Sequence, residues 1–406
     1  MVAIKHQSKE QKLVSLYESY DREGRLGEFT ENLSEGFRSR QYKPEDFDLG
    51  RLWEACFGWE SFRQCRASRE PLANLTFQES AGAVATSSFS HITKQIIYST
   101  FMEVLMSEDY PFQNLIPTVP TEFNGERIPG ITQLGDVVAV RGETEAYPLA
   151  GVTEDYIDTP PTKDRGLIVP VTKEAIFFNR TGSLLLERVR DVARAAAINK
   201  EKRAIDAVID ENAGAVSASN GGHRYHWRGD SIATYGDNTG THSWDNLTAS
   251  NALVDWTDLD AAEQTLNTIT DPHTGEPVEI EPTHLIVTKQ LEQTARRIIS
   301  ATEIRVATPG YATSGNPTQT IMSNPYANKY QVLSTRLLAA RLATDTSWFL
   351  ANFRAWRYME NWPTEVMQAP SNSHDEFHRN IVQQYRVSER GAYTTVEPRL
   401  AHKSTA

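Results

Sequence analysis

Cysteine, positive charge and long apolar runs are what this 406-residue sequence has least of. The two cysteines, Cys56 and Cys65, are too few for a disulfide framework and have no histidine or further cysteine nearby. Free thiols in a reducing compartment are therefore expected, rather than half of a zinc site. No run of about 18 apolar residues occurs, and residues 1–12 are too polar for a signal sequence, so no membrane span or export is expected. The chain is read as made in a cytoplasm, its own or a host's. Lys and Arg total 41 against 53 Asp and Glu, a net charge of −12, which argues against tight tracking of a phosphate backbone. A phosphate loop, a Gly-x-Gly-x-x-Gly turn, a Gly-x-Ser-x-Gly elbow and a Cys/His nucleophile arrangement are all missing. No catalytic, cofactor-binding or metal-binding residue is assigned, and no cofactor is expected.

The few constellations that resemble chemistry are weak. His374 and His378 flank Asp375 and Glu376, but a zinc-protease helix needs His-Glu-x-x-His and a third ligand, so surface histidines are the better reading. His223 and His226 stand three apart, share neither a helix turn nor a strand face, and are read as loop residues. Trp348, Phe349, Phe353, Trp356 and Trp362 could stack on bases. With only Arg354 and Arg357 interleaved, packing is the stronger interpretation.

What the chain does have is length and order. With 39% hydrophobic and 23% charged residues its balance is globular, and 406 residues imply two or more lobes. From Asn124 to Gly166 run six glycines, four prolines and twice as many acids as bases, flanked by strand-like Ile128–Val140 and Leu167–Phe178. So polar an excursion cannot bury a core of its own, and a two-stranded ribbon is marginal in water, so a neighbouring subunit is expected to support it. A long amphipathic helix follows, from a Ser183 cap to about Asp210, with Leu185, Val189, Val192, Ala196, Ile205, Val208 and Ile209 on one face and Gly214 as terminator. At about 1.5 Å per residue it would be roughly 40 Å long.

Elsewhere Leu13, Leu16, Tyr17 and Tyr20 suggest one short helix, Leu49–Phe57 a second and His91–Met106 a third, with a small-residue linker at Ser80–Ser90. Residues 213–251, rich in Gly, Ser, Thr and Asn, read as a surface insertion, and Leu259–Ile269 as a helix stopped by Asp271-Pro272. His284–Thr288 reads as a buried strand followed by a helix from Lys289 to Ser300, and residues 308–325 as a long loop.

Long hairpin, long helix, mixed α/β region and the closing strands of Phe377–Val396 together resemble the tailed-phage major capsid proteins of the Hong Kong 97 fold, shared with encapsulin nanocompartments. The resemblance spans about residues 75–400. It implies an α+β fold: residues 1–74 an N-terminal helical segment, scaffold-like or an arm, with a helical cap as the plain alternative; 75–119 an arm and connecting helix; 120–180 the extended hairpin. Residues 181–282 would be spine helix and peripheral domain, 283–372 an axial domain, and 373–406 the closing strands and tail. It implies a structural protein, not an enzyme: a major capsid subunit of the virion, forming hexamers and pentamers of an icosahedral shell around viral DNA. Its partners would be itself, with portal, scaffold or decoration proteins and weakly, non-specifically contacted DNA, but no membrane. The alternative is an encapsulin-like shell around a cargo enzyme. Some relatives weld subunits through a hairpin lysine; Lys163 is the sole lysine of this hairpin, but no acceptor can be picked out and the crosslink is not carried over.

Overall fold

The computed structural model describes residues 9–23, 25–39, 92, 95–96, 98–104, 110–129, 156–172, 183–210, 224–227, 230–232, 234–236, 244–271, 275–308, 318–342, 344–368 and 381–406. Cys56, Cys65, Gly214, His223, His374 and His378, the Leu49–Phe57 helix and the Ser80–Ser90 linker lie outside these residues. The fold is α+β and divides into two units, one of residues 1–110, 164–199 and 362–389, the other of residues 111–163, 200–361 and 390–406.

In the first unit, α1 (Lys9–Arg22) and α2 (Leu26–Arg38) form a helical pair. They bury Leu13, Val14, Tyr17, Phe29 and Leu33, with the Tyr17 and Phe29 rings edge to face at 5.4 Å. Leu16, expected on the buried side, is 44% exposed. Its spacing to Tyr20 is helical, but the stripe that packs runs through Leu13 and Tyr17. The described residues between 92 and 104 are helical, as expected. Phe101 packs with Val169, Val189, Ala193, Ala197, Tyr385 and Val387, so that small residues on the long helix admit large ones from the strands.

The second unit is built on a mixed five-stranded sheet. Its order is β11 (Gln331–Thr335), β8 (His284–Thr288), β12 (Trp348–Ala351), β15 (Ala401–Ser404) and β7 (Leu247–Thr248). Successive strand residues face opposite ways, and here both faces are covered. Leu285, Val287, Trp348 and Leu350 face one core with Leu259, Ala262 and Leu266 of α5 (Trp256–Asn267) and Ala295, Ile298 and Ile299 of α6 (Glu292–Ser300). Ile286, Phe349 and Ala351 face another with Ala204, Ile205, Val208 and Ile209 of α4 (Ser183–Ile209). Double coverage is why His-Leu-Ile-Val-Thr and Trp-Phe-Leu-Ala read as unbroken apolar runs. Asp255 starts α5 as a capping box with Asp258, which satisfies backbone N–H groups that the helix cannot.

The expected long helix is α4, with 27 residues. It ends where expected, with Asp210 after its last residue in the left-handed region at φ +39, while Gly214, read as its terminator, lies outside the described residues. From Glu201 to Asp210 only Lys202 is not fully buried, so the last turns have no solvent stripe. The single apolar face expected from the sequence therefore gives way to packing on all sides over these last turns.

Of the expected hairpin the two ends are described, while residues 130–155 lie outside the described residues. Arg127–Pro129 (β2) pairs antiparallel with Tyr156–Asp158 (β3), in register Ile128 to Ile157, and β3 continues to β5 (Arg224–Trp227) and β6 (Asp230–Ile232). The later strand β4 (Lys163–Thr172) joins a different sheet, ordered β1 (Thr118–Pro120), β13 (Trp356–Gln368), β14 (Ile381–Thr395), β4. Ribbon and second flank are therefore separate elements, divided by Pro160 and Pro161, which cannot donate to a ladder. Lys163 starts this strand rather than standing in a turn. Residues 308–325 are not all loop: Thr318–Ser323 (β10) pairs with Glu303–Thr308 (β9) over six residues each. Within the supposed surface insertion, Thr234, Tyr235, Gly236, Trp244 and Asn246 are buried, because Asn246 ties the loop to the sheet.

Candidate functional site

Buried polar groups, the first place to look for chemistry, act here as clamps. Asn246 is wholly buried and uses its entire amide: Oδ1 accepts from Gly236 N–H at 2.9 Å, and Nδ2 donates to the carbonyls of Thr234, Pro398 and Ala401 at 2.8, 3.0 and 3.0 Å. Arg399 donates to both oxygens of Glu397 and to Asp271 at 3.3 Å, all three side chains being buried. Arg341 grips Asp206 with Nε at 2.6 Å and a second guanidinium nitrogen, a bidentate pair. Such groups fix a geometry, since removing either partner would strand a buried charge.

Two titratable side chains stand out. Glu201 on α4 accepts from the N–H groups of Phe112 at 3.1 Å and Gln113 at 2.9 Å, which open α3 (Pro111–Leu115). Burial raises its carboxyl to about 7, against the opposing effect of the two N–H donors. His402, in the middle of β15, meets Thr248 Oγ1 at 2.8 Å through Nε2, and desolvation lowers it to about 4. Both serve the interior of one subunit. Among the described residues no group of three His, Cys, Asp or Glu side chains could hold a metal ion.

The surface is more informative. On β4, Leu167 and Ile168 are 45% and 56% exposed, and on β10, Ile321 and Met322 are 60% and 53% exposed. Adjacent strand residues point to opposite faces, so both strands are covered on neither face at these positions. Among the described residues β4 is also the outer strand of its sheet, and β9–β10 is a ribbon with no third strand. Exposed edges of this kind are templates for pairing, and folded monomers usually blunt them. Beside β4 lies a cleft of about 530 Å³ between strand residues Asp164–Leu167 and Val387–Glu389 and helix residues Ala195, Ala196 and Asn199. Gly166 is needed there: a Cβ would come within 2.6 Å of the Val387 carbonyl oxygen.

The aromatic cluster resolves as packing: Trp348, Phe349, Phe353 and Trp356 are buried, while Trp362 is 37% exposed. His226 lies in β5, its backbone paired with Tyr156 and Ser231. Sequence reading missed Glu201, although Ala197, Ala204 and Ile205 at helical spacing mark it as an acid on a buried face. Leu167–Val169, expected to be in a strand, lies in β4, where only Val169 is buried.

The element order implied by the resemblance, with ribbon, long helix, α/β region and returning strands, is present in the described residues. Residues 156–404 match the model of a family described as phage capsid protein. No curated protein matches. Similar solved structures include the capsid of a native GTA particle, at 12% identity over 74% of this chain and 90% of that one with a TM-score of 0.44. Another is from Gordonia phage Cozz, at 13% identity over 74% and 88% with a TM-score of 0.43. A third is a virus-like particle from Pyrococcus furiosus, at 8% identity over 76% and 98% with a TM-score of 0.40. The family match alone covers more than half of the sequence and includes the five-stranded sheet, the long helix and the closing strands: the chain belongs to the phage capsid protein family.

Proposed function

We propose that this chain is the major capsid, or head, protein of a tailed phage, assembling in the host cytoplasm into hexamers and pentamers that close an icosahedral shell around packaged DNA. The observation that carries this reading, beyond family membership, is the conjunction of a well-packed interior with strands left open at Leu167–Ile168 and Ile321–Met322. A shell subunit needs a rigid body and edges that only neighbours complete. The net charge of −12 suits a container whose wall contacts DNA weakly and without sequence preference. Portal, scaffold or decoration proteins are the further partners this role implies.

In the same reading residues 1–74 are a scaffold-like segment or arm, 75–119 the arm and connecting helix, and 120–180 the extended hairpin. Residues 181–282 are the spine helix and peripheral domain, 283–372 the axial domain, and 373–406 the return to the peripheral domain and the tail. An encapsulin-like compartment is not favoured, since the matching family is that of phage capsids.

Sedimentation of the purified protein across concentrations, with negative-stain microscopy of the fast fractions, tests the proposal. Rings or closed shells are expected. A single monomeric species at the highest concentration would overturn it.

A further inference from the structure

The loop Thr121–Glu126, between β1 and β2, carries one large apolar side chain, Phe123, at 63% exposure. A single exposed phenylalanine is ordinary on a protein surface. The loop beneath it is not ordinary, because nearly every residue is tied down. Thr121 N–H donates to the Glu360 carbonyl at 2.8 Å, and Asn361 Nδ2 donates to the carbonyls of both Thr121 and Phe123 at 3.0 Å. Phe123 N–H donates to Thr121 Oγ1 at 3.2 Å. On the far side Thr162 Oγ1 donates to Asn124 Oδ1 at 3.1 Å, and Glu126 N–H donates to Thr159 Oγ1 at 2.7 Å. Gly125 makes the turn at φ +85, a conformation a side chain rarely adopts, with the Thr159 carbonyl 3.3 Å from where its Cβ would be.

A loose loop would fold its apolar tip back onto the subunit. This one holds the ring outward, with its backbone entropy already spent in folding. Rigid aromatic anchors of that kind dominate association energies, since little further order is lost on docking.

We propose that Phe123 is a preorganised assembly anchor that buries its ring in an apolar site on a second copy of this chain. The inference rests on the capsid reading given above. Charge favours protein over nucleic acid as the occupant: the ring stands between Glu122 and Glu126, two carboxylates that repel phosphate. Membership of a capsid family makes another copy the protein surface every subunit meets.

The test compares wild type with Phe123→Ser and Phe123→Leu for cooperative melting and for the concentration at which assemblies appear. The serine variant should melt as wild type does, because the ring touches little within its own subunit. Its assembly threshold should rise at least about tenfold, the loss of a modest anchor, and leucine should recover part of that. A serine variant that assembles at the wild-type threshold overturns the proposal. Because the serine chain could fail to fold, 4-cyanophenylalanine in place of Phe123 gives a second readout. Its nitrile infrared band should shift from a hydrated to an apolar position on assembly, and a band that stays hydrated in formed shells also overturns it. Wild type that never assembles would remove the capsid reading itself, which distinguishes the two failures.

Discussion

Replacing Glu201 by glutamine should make the subunit lose less stability than wild type as pH rises from acidic to alkaline. Glu201 is buried among apolar neighbours on α4 and accepts two backbone N–H groups from α3. Desolvation outweighs those donors and raises its carboxyl from 4.5 to about 7. A folded value above the unfolded one means the stabilising contribution is complete below pH 4.5, is lost as pH rises, and is gone above about 7. At about 1.4 kcal/mol for each pH unit between the two titrations, the loss amounts to about 3 kcal/mol. Glutamine does not titrate, so it escapes the loss, but its Nε2 cannot accept from the N–H that faces one of the two carboxylate oxygens, a cost that is the same at every pH. Urea unfolding of the unassembled subunit at pH 5, 6, 7 and 8 should show Glu201→Gln gaining on wild type steadily, by about 3 kcal/mol between the bottom and the top of the range. A difference that stays constant with pH would refute the reasoning, as would one that grows in favour of wild type. The former would mean that Glu201 titrates normally, the latter that its two backbone bonds outweigh its burial.

His402 should act in the opposite direction, because its folded value of about 4 lies below the ordinary 6.5. The neutral ring is favoured, so stability falls as pH drops from 6.5 towards 4, by up to about 3 kcal/mol. Thermal melts at pH 7 and pH 4.5 should therefore differ less for His402→Gln than for wild type, and an equal difference would count against this assignment. Gly391 faces Tyr358, whose ring would lie 2.5 Å from an added Cβ, with the Met359 carbonyl oxygen at 2.7 Å. Since Tyr358 is buried and cannot swing away, Gly391→Ala should cost about 2–3 kcal/mol in chemical denaturation, and a neutral result would show that β13 and β14 can part there.

How much of this molecule could be read without coordinates depended on the range of the interaction involved. Patterns set by neighbours along the chain were legible. The 3.6-residue period of residues 183–209 specified α4, and the apolar run at His284–Thr288 specified a buried strand. Partnership between distant segments was not. Nothing near Lys163–Thr172 says that it pairs with residues two hundred positions later rather than with the strand across the ribbon, and the choice is made by long-range ladder geometry. Asn246 sits in a Gly/Ser/Thr-rich stretch that reads as surface, and only contact with Pro398 and Ala401 makes it a core clamp. Exposure at Leu167–Ile168 and Ile321–Met322 was equally hidden, because an apolar pair looks the same in sequence whether its cover comes from the same chain or from another. The sequence by itself determined local elements through periodicity and a globular class through composition, and the order of those elements carried the resemblance to the family. Only the tertiary structure decided which strands share a sheet, which acids and histidines lose their water, and which apolar residues are left uncovered, since each depends on atoms brought together by folding.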